Sequence, residues 1–221
     1  MDTRSIIGVI AGFCSLSLAF EATGVESPLP NFPTSSSSRE VTVRLPDGQN
    51  VRVGGKLVAL IAGGYSAARS KQYDRAISSF TAALQMNPDT NIAFAIYSCR
   101  ASAYYEKGEL GKALSDWTAA IQLNSKYARA YYDCAINYEN GRDYKLAIRD
   151  STAAIQLNLK YADAYHNRGA YYHETGEFDK AIADFNKAIQ FNPRSATTFD
   201  GRAQATKIST NSTRRWLIMI G

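Results

Sequence analysis

The sequence predicts an all-α fold of antiparallel helix pairs stacked in series. Three observations carry the prediction. A block of residues returns after 34 positions: Thr118-Ala-Ala-Ile-Gln-Leu-Asn124 is repeated as Thr152-Ala-Ala-Ile-Gln-Leu-Asn158, and Lys126-Tyr127-Ala128 as Lys160-Tyr161-Ala162. Within each period, bulky and small residues follow one another at spacings of four and three, which places them on one helix face. Glycines fall near the middle of three periods, where a helix pair must turn. The 221-residue chain is 45% apolar and 20% charged. That composition excludes a wholly disordered chain and a multi-pass membrane protein. Its three cysteines exclude a disulfide-dense mini-scaffold.

The elements follow in order. Residues 1–22 contain an apolar run, Ile6 to Phe20, broken only by Gly, Ser and Cys14. The run is shorter than the ~20 residues of a membrane span. It suits the apolar region of a secretory signal peptide, with small residues at Ser17 and Ala19 for cleavage after Ala19. The alternatives are an uncleaved N-terminal membrane anchor or a buried apolar segment. Cleavage would make the protein exported, periplasmic or extracellular; without cleavage it would be membrane-anchored. Residues 23–39, with three prolines and four consecutive serines, read as a disordered linker. Over residues 40–56, Val41, Val43 and Leu45 alternate with polar residues, Pro46-Asp47-Gly48 supplies a turn, and Val51 and Val53 resume the alternation. This is a short β-hairpin. A lone hairpin is marginal in water, so it docks on its own helices or pairs with a partner strand.

Residues 57–195 hold four copies of the repeat, at 57–90, 94–127, 128–161 and 162–195. Leu60, Tyr97, Tyr131 and Tyr165 open the first helices. Gly64, Ala101, Ala135 and Gly169 follow, then Ala67, Tyr104, Tyr138 and Tyr172. Gly108, Gly141 and Gly176 mark three turns, and Lys71-Gln72 stands in the first. The second helices carry Ala76, Ala113, Ala147 and Ala181, then Phe80, Trp117, Ser151 and Phe185, then Ala83, Ala120, Ala154 and Ala188. Asn87-Pro88 and Asn192-Pro193 end the outer copies, because a residue before proline avoids the α region. Small residues let helix axes approach to ~8–10 Å, and the aromatics fill the space they leave. Phe199, Ala203 and Thr206 continue the columns, but no second helix follows. Residues 196–208 therefore read as a C-terminal capping helix, and residues 209–221 as a tail. Ser151 stands where the other copies have an aromatic. An underpacked third copy is the expectation, with Ser151→Phe raising the melting temperature.

This pattern resembles the tetratricopeptide repeat (TPR). The period, the small and aromatic columns and the terminal prolines all agree. The resemblance implies a right-handed superhelical solenoid whose first helices line a concave groove for an extended peptide or a partner helix. First-helix residues not used in the core should face that groove. The candidate protein-binding residues are Tyr65, Arg69, Tyr105, Arg129, Tyr132, Asp133, His166, Asn167 and His173, with Cys99, Ser102, Glu106, Ile136 and Ala170 beside them. Asn167 resembles the groove asparagine with which the family holds a ligand backbone amide. Chaperone-binding members grip a C-terminal carboxylate with lysine, arginine and asparagine. The comparable sites here hold Ile61, Tyr65, Cys99, Arg129 and Asp133, of which only Arg129 suits such a clamp.

No catalytic constellation appears: there is no phosphate-cradling Gly-x4-Gly-Lys-Ser/Thr, no Gly-x-Ser-x-Gly and no His-Glu-x-x-His. His166 and His173, the only histidines, lie about two turns apart, too far to share a metal. Cys99 and Cys134 are read as groove and core thiols respectively, and Asp179 and Asp184 as solvated charges. No enzyme activity, cofactor or metal is expected. The net charge is +5, but residues 57–195 carry sixteen positive and fourteen negative charges. The basic excess gathers in the tail, so nucleic acid is not the favoured partner. The reading is a non-catalytic protein–protein interaction scaffold. The alternatives are a binder of nucleic acid or anionic surfaces that uses Arg202, Lys207, Arg214 and Arg215, and a non-catalytic subunit of an enzyme complex.

Overall fold

The computed structural model describes the backbone of residues 40–44 and 50–220, and side-chain surroundings from residue 54 to residue 210. The expected signal or anchor (1–22), the linker (23–39) and the turn at Pro46–Gly48 lie outside the described residues. Strands β1 (Glu40–Arg44) and β2 (Asn50–Gly54) pair antiparallel, with Val41 opposite Val53 and Val43 opposite Val51.

Nine helices follow among the described residues: α1 (Gly55–Arg69), α2 (Tyr73–Gln85), α3 (Thr90–Glu106), α4 (Leu110–Leu123), α5 (Ala128–Asn140), α6 (Tyr144–Leu157), α7 (Ala162–Glu174), α8 (Phe178–Phe191) and α9 (Ala196–Ile220). The chain divides into two compact units, Met1–Ser125 and Lys126–Gly221. The first contains α1–α4 and the second α5–α9.

The same turn closes all four helix pairs. Its left-handed residue is Lys71, Gly108, Arg142 or Gly176, with φ of 57°, 77°, 56° and 81°. The next residue reaches back to close the helix end: Gln72 N–H to Ala67 O, Glu109 to Tyr104, Asp143 to Tyr138 and Glu177 to Tyr172, at 2.8–3.0 Å. In the third pair the left-handed position therefore belongs to Arg142, one residue after the glycine expected to turn there. Gly141 has φ −84°, open to any residue.

Small residues position the core. Ala76, Ala113, Ala147 and Ala181 are fully covered. A Cβ on Gly64 would lie 2.6 Å from the Phe80 ring, and one on Gly201 2.8 Å from the Phe185 ring. In the first unit Phe80 packs with Leu57, Ile61, Ile96 and Cys99. In the second, Phe185 packs with Ala181 and with Ala205 of α9.

Polar ties, unforeseen in sequence, run alongside. Arg100 donates from Nε and Nη2 to both oxygens of Asp116 at 2.7 and 2.8 Å, and from Nη1 to Thr81 Oγ1 at 3.0 Å. Arg168 does the same with Asp184 and Thr152, at 2.7, 2.8 and 3.0 Å. Each guanidinium lies beside two tyrosine rings, Tyr97 and Tyr104 or Tyr165 and Tyr172. A forked, charge-assisted bond of this kind joins a first helix to its own second helix and to the one before. Asp184 is thus a buried, paired carboxylate and not the solvated charge expected; Asp179 is exposed, accepting from Ser209 Oγ. In the third copy Cys134 takes the arginine's position, and Asp150 is held by Arg149 at 2.7 Å.

The capping helix extends over 25 residues to Ile220, beyond the expected 196–208. No glycine or proline between Gly201 and Gly221 stops it. Thr198 and Ala205 are buried while Phe199 is 40% exposed, with Ala203 and Thr206 open beside it. The columns were in register, but two faces must be distinguished. Positions 198, 201 and 205 meet the preceding pair, whereas 199, 203 and 206 would meet a second helix of their own.

In the third copy, bulk near Ser151 comes from the next first helix. Ser151 is 0% exposed, and Tyr171 of α7, 1% exposed, packs with Ala135 and Ala147, one turn from Ser151. The Tyr171 hydroxyl donates to Glu139 Oε2 at 3.0 Å. At the position of Tyr171 the second and capping copies carry Ala103 and Ala205, behind Phe80 and Phe185. The large and small members of this pair have changed places. Ser151→Phe is therefore expected to overpack and destabilise by about 1–3 kcal/mol in urea unfolding. Adding Tyr171→Ala should recover much of that loss, so a simply additive cycle would refute the exchange. Arg142→Gly, which removes a side chain from a left-handed position, should stabilise by about 0.5–1 kcal/mol in the same measurement.

Candidate functional site

The first helices bring their candidates together separately in each unit. In the first, the Tyr65 hydroxyl lies 2.9 Å from Cys99 Sγ, and its ring meets Phe80 edge-on at 5.5 Å. Tyr65 is half-buried and Cys99 buried. Ile61 and Cys99 belong to the core, which removes two of the expected groove sites. Tyr105 is half-buried, its ring 5.9 Å from that of Trp117. Arg69 is exposed in the last turn of α1.

In the second unit the candidates from α5 and α7 converge. The rings of Tyr132 and Tyr161 stack at 4.9 Å. Arg129 lies over Tyr132 at 5.3 Å, and its Nε donates to Asp133 Oδ1 at 2.8 Å, one helical turn away. Asn167 of α7 lies near the Tyr132 phenol and acts to lower its pKa, against burial. Tyr132 and Asp133 are buried, not open on a groove as expected; helix α7 and Tyr161 cover what would be surface on an isolated α5.

Burial dominates the electrostatics. It raises the Tyr132 phenol to about 12, assisted by Asp163. Burial also raises the Asp133 carboxyl to about 6, against the attraction of Arg129. Asp133 is 5% exposed, and its Oδ2 has no hydrogen-bond partner within the protein. The Cys134 thiol is pushed up by burial, with Asp150 and Asp133 adding to the effect. It is an inert core thiol, as expected.

Both histidines lie against aromatic rings. His166 Nδ1 lies 3.0 Å from Thr198 Oγ1 and its ring 5.7 Å from Phe185, so it sits between α7, α8 and α9. Burial lowers its pKa. His173 meets Phe178 edge-on at 5.4 Å. Tyr161 and Asp163, which were not among the groove candidates, complete the second-unit cluster. The repeated Lys-Tyr-Ala at each copy boundary was the available signal.

Four helix pairs with one turn, one alanine column and one set of small-to-aromatic contacts define a helical-repeat protein. Family models described as tetratricopeptide repeat match residues 62–90 and 162–195, and one described as TPR repeat matches 101–141. The chain is a tetratricopeptide-repeat protein. Human serine/threonine-protein phosphatase 5 is 38% identical over 64 residues, covering 29% of this chain and 12% of that protein. A DnaJ homolog subfamily C member 7 homolog from Dictyostelium discoideum is 34% identical over 87 residues, 36% of this chain and 16% of that one. The chain therefore matches only a small part of these curated relatives. The crystal structure of MamA aligns with TM-score 0.63 and 25% identity, covering 69% of this chain and 81% of its own. The first TPR of Spaghetti (RPAP3), bound to an HSP90 peptide, aligns with TM-score 0.53 and 17% identity over 55% of this chain and 96% of its own, a likeness of fold.

Asp133 supplies a pH prediction. Its folded pKa is raised above the unfolded value of about 4, so between about pH 4 and 6 the folded state binds the extra proton. Its contribution to stability therefore falls as pH rises through that window and stays low above it. Asp133→Asn is expected to be more stable than the native chain at pH 7 by about 1–3 kcal/mol. The difference should vanish by pH 4 in paired urea titrations.

Proposed function

We propose that this chain is a non-catalytic interaction scaffold whose first helices hold an extended peptide or a partner helix. One observation carries the reading. In each unit, first helices of consecutive copies are tied side by side and present a shared face: Tyr65 reaches Cys99 in one, and Tyr132 lies beside Asn167 in the other. A segment laid across that face touches two repeats at once. Tyrosines, held rigid by ring contacts and rich in contact area, are efficient anchors. The peptide-bound RPAP3 repeat domain supports a peptide ligand for this fold. The buried Ile61 and Cys99 and the paired Arg129 do not make a carboxylate clamp, so the ligand is of another chemistry. Export through the Ile6–Phe20 run belongs to the same proposal, and is checked by whether the chain recovered outside the cytosol begins after Ala19.

The scaffold role is tested by placing a photo-crosslinking residue in the full chain at exposed Arg69 or Asp163 on first helices, and at exposed Gln156 or Lys187 on second helices. The expected result, in source cells, is a discrete adduct of one partner from the first-helix positions and none from the others. Adducts confined to the second helices, or equal at all four sites, would overturn the assignment.

A further inference from the structure

Helix α9 is a first helix without a second. In the four preceding pairs the small residue at the middle of the first helix is covered. Gly64 and Gly169 lie under the rings of Phe80 and Phe185, and Ala101 and Ala135 are buried. Ala203, 34 residues after Gly169, is exposed. Phe199, four residues earlier, is a large apolar side chain that is also exposed. Thr206 and Thr210 continue the same helix face at spacings of three and four, and both are exposed. The backbone does not return to cover this face through residue 220. The other first helices give way to a turn at Lys71, Gly108, Arg142 or Gly176. The equivalent residue of α9, Thr210, is helical, and the helix continues to Ile220.

The charges beside this face identify an occupant. Asp200 stands three residues before Ala203 and Lys207 four after it, on one flank of the helix. Both are exposed, and neither forms an ion pair among the described residues. They lie ~10.5 Å apart along the axis. On the other flank, Arg202 lies over the Phe199 ring at 5.4 Å and donates to Asn186 Oδ1 at 3.2 Å, so it is committed to its own chain. An antiparallel second copy of α9, related by a two-fold axis at Ala203, brings Asp200 of each copy against Lys207 of the other. The same operation sets Phe199 beside Thr206 of the second copy, and Ala203 against its own counterpart. Each ring then enters space that small side chains leave, as Phe80 and Phe185 do within the chain. One sequence supplies both halves of every pair.

We propose that Phe199, Ala203, Thr206 and Thr210 form the interface of an antiparallel homodimer, in which α9 of a second copy takes the place of the missing second helix. Burial of the two Phe199 rings supplies attraction. The Asp200–Lys207 pairs, individually weak at an exposed rim, set direction and register. One helix face is small beside a standard interface, so the association is reversible, with a Kd on the order of micromolar. The dimer does not depend on the scaffold reading above.

Sedimentation equilibrium of the full chain over ~1–200 µM reads the assembly directly. The expected result is a reversible monomer–dimer equilibrium. Phe199→Asp should weaken it more than about tenfold. Asp200→Lys or Lys207→Asp alone should each weaken it about tenfold, since like charges then face each other twice. The double variant Asp200→Lys, Lys207→Asp should restore it, because exchanging the two charges leaves each pair complete. Gln204→Glu, exposed on α9 but off this face, should leave it unchanged. All these side chains are exposed or at the rim of the helix, and circular dichroism checks that each variant keeps the native helix content. A chain that stays monomeric throughout would overturn the proposal. A dimer indifferent to Phe199→Asp would overturn it by placing the interface elsewhere. A dimer in which the charge exchange fails to rescue the single reversals would overturn the antiparallel pairing.

Discussion

Ala76, Ala113, Ala147 and Ala181 occupy the same place in four second helices, and each is completely covered. A methyl group is all that stands between the paired helices there, so the axes close to a distance at which the next layer of side chains must interlock. That close approach fixes where Phe80 and Phe185 press on glycine backbone. It also sets the arginines of α3 and α7 at bonding distance from two second helices at once. The candidate ligand face is a consequence of the same spacing. Tyr132 and Asn167 lie close only because successive first helices are held side by side.

Packing and polar ties divide the work. Alanine and glycine allow approach without selecting a unique arrangement, since apolar surfaces slide with little penalty. The Arg100 and Arg168 forks are directional, and each reads two partners. A small shift along the helix axis would leave a buried aspartate without its guanidinium, at a cost of several kcal/mol. Within each unit the forks therefore fix the register that the alanine columns leave loose.

Much of this was legible from residue order. The period, the helix pairs and the register of the capping helix came from columns of like residues. The arginine forks were legible in principle, since Arg100 and Asp116 recur as Arg168 and Asp184, but a search for apolar columns passes over them. What stayed hidden involves residues in different columns. Ser151 looks deficient beside Phe80, Trp117 and Phe185 until Tyr171, in a different column of the next copy, is set against it. The burial of Tyr132 and Asp133 stayed hidden for the same reason. Exposure of Tyr132, Asp133 or His166 on an isolated helix is a matter of angle, whereas in the protein it is decided by Tyr161, Asn167 and Thr198 from the element that follows. Turn chemistry shows the effect in miniature: Gly141 drew attention, but hydrogen bonding placed the left-handed residue at Arg142.

The exchange of bulk between Ser151 and Tyr171 gives the copies an order. A chain of identical modules could be shuffled, duplicated or shortened at any joint. Here the third and fourth modules are matched as a lock to one key. Moving the fourth behind the first would drive Tyr171 toward Phe80, and placing the second behind the third would set Ala103 against Ser151 and open a void. Exchanging either module alone would therefore disturb the packing at this seam, whereas moving the two together would carry the match with them.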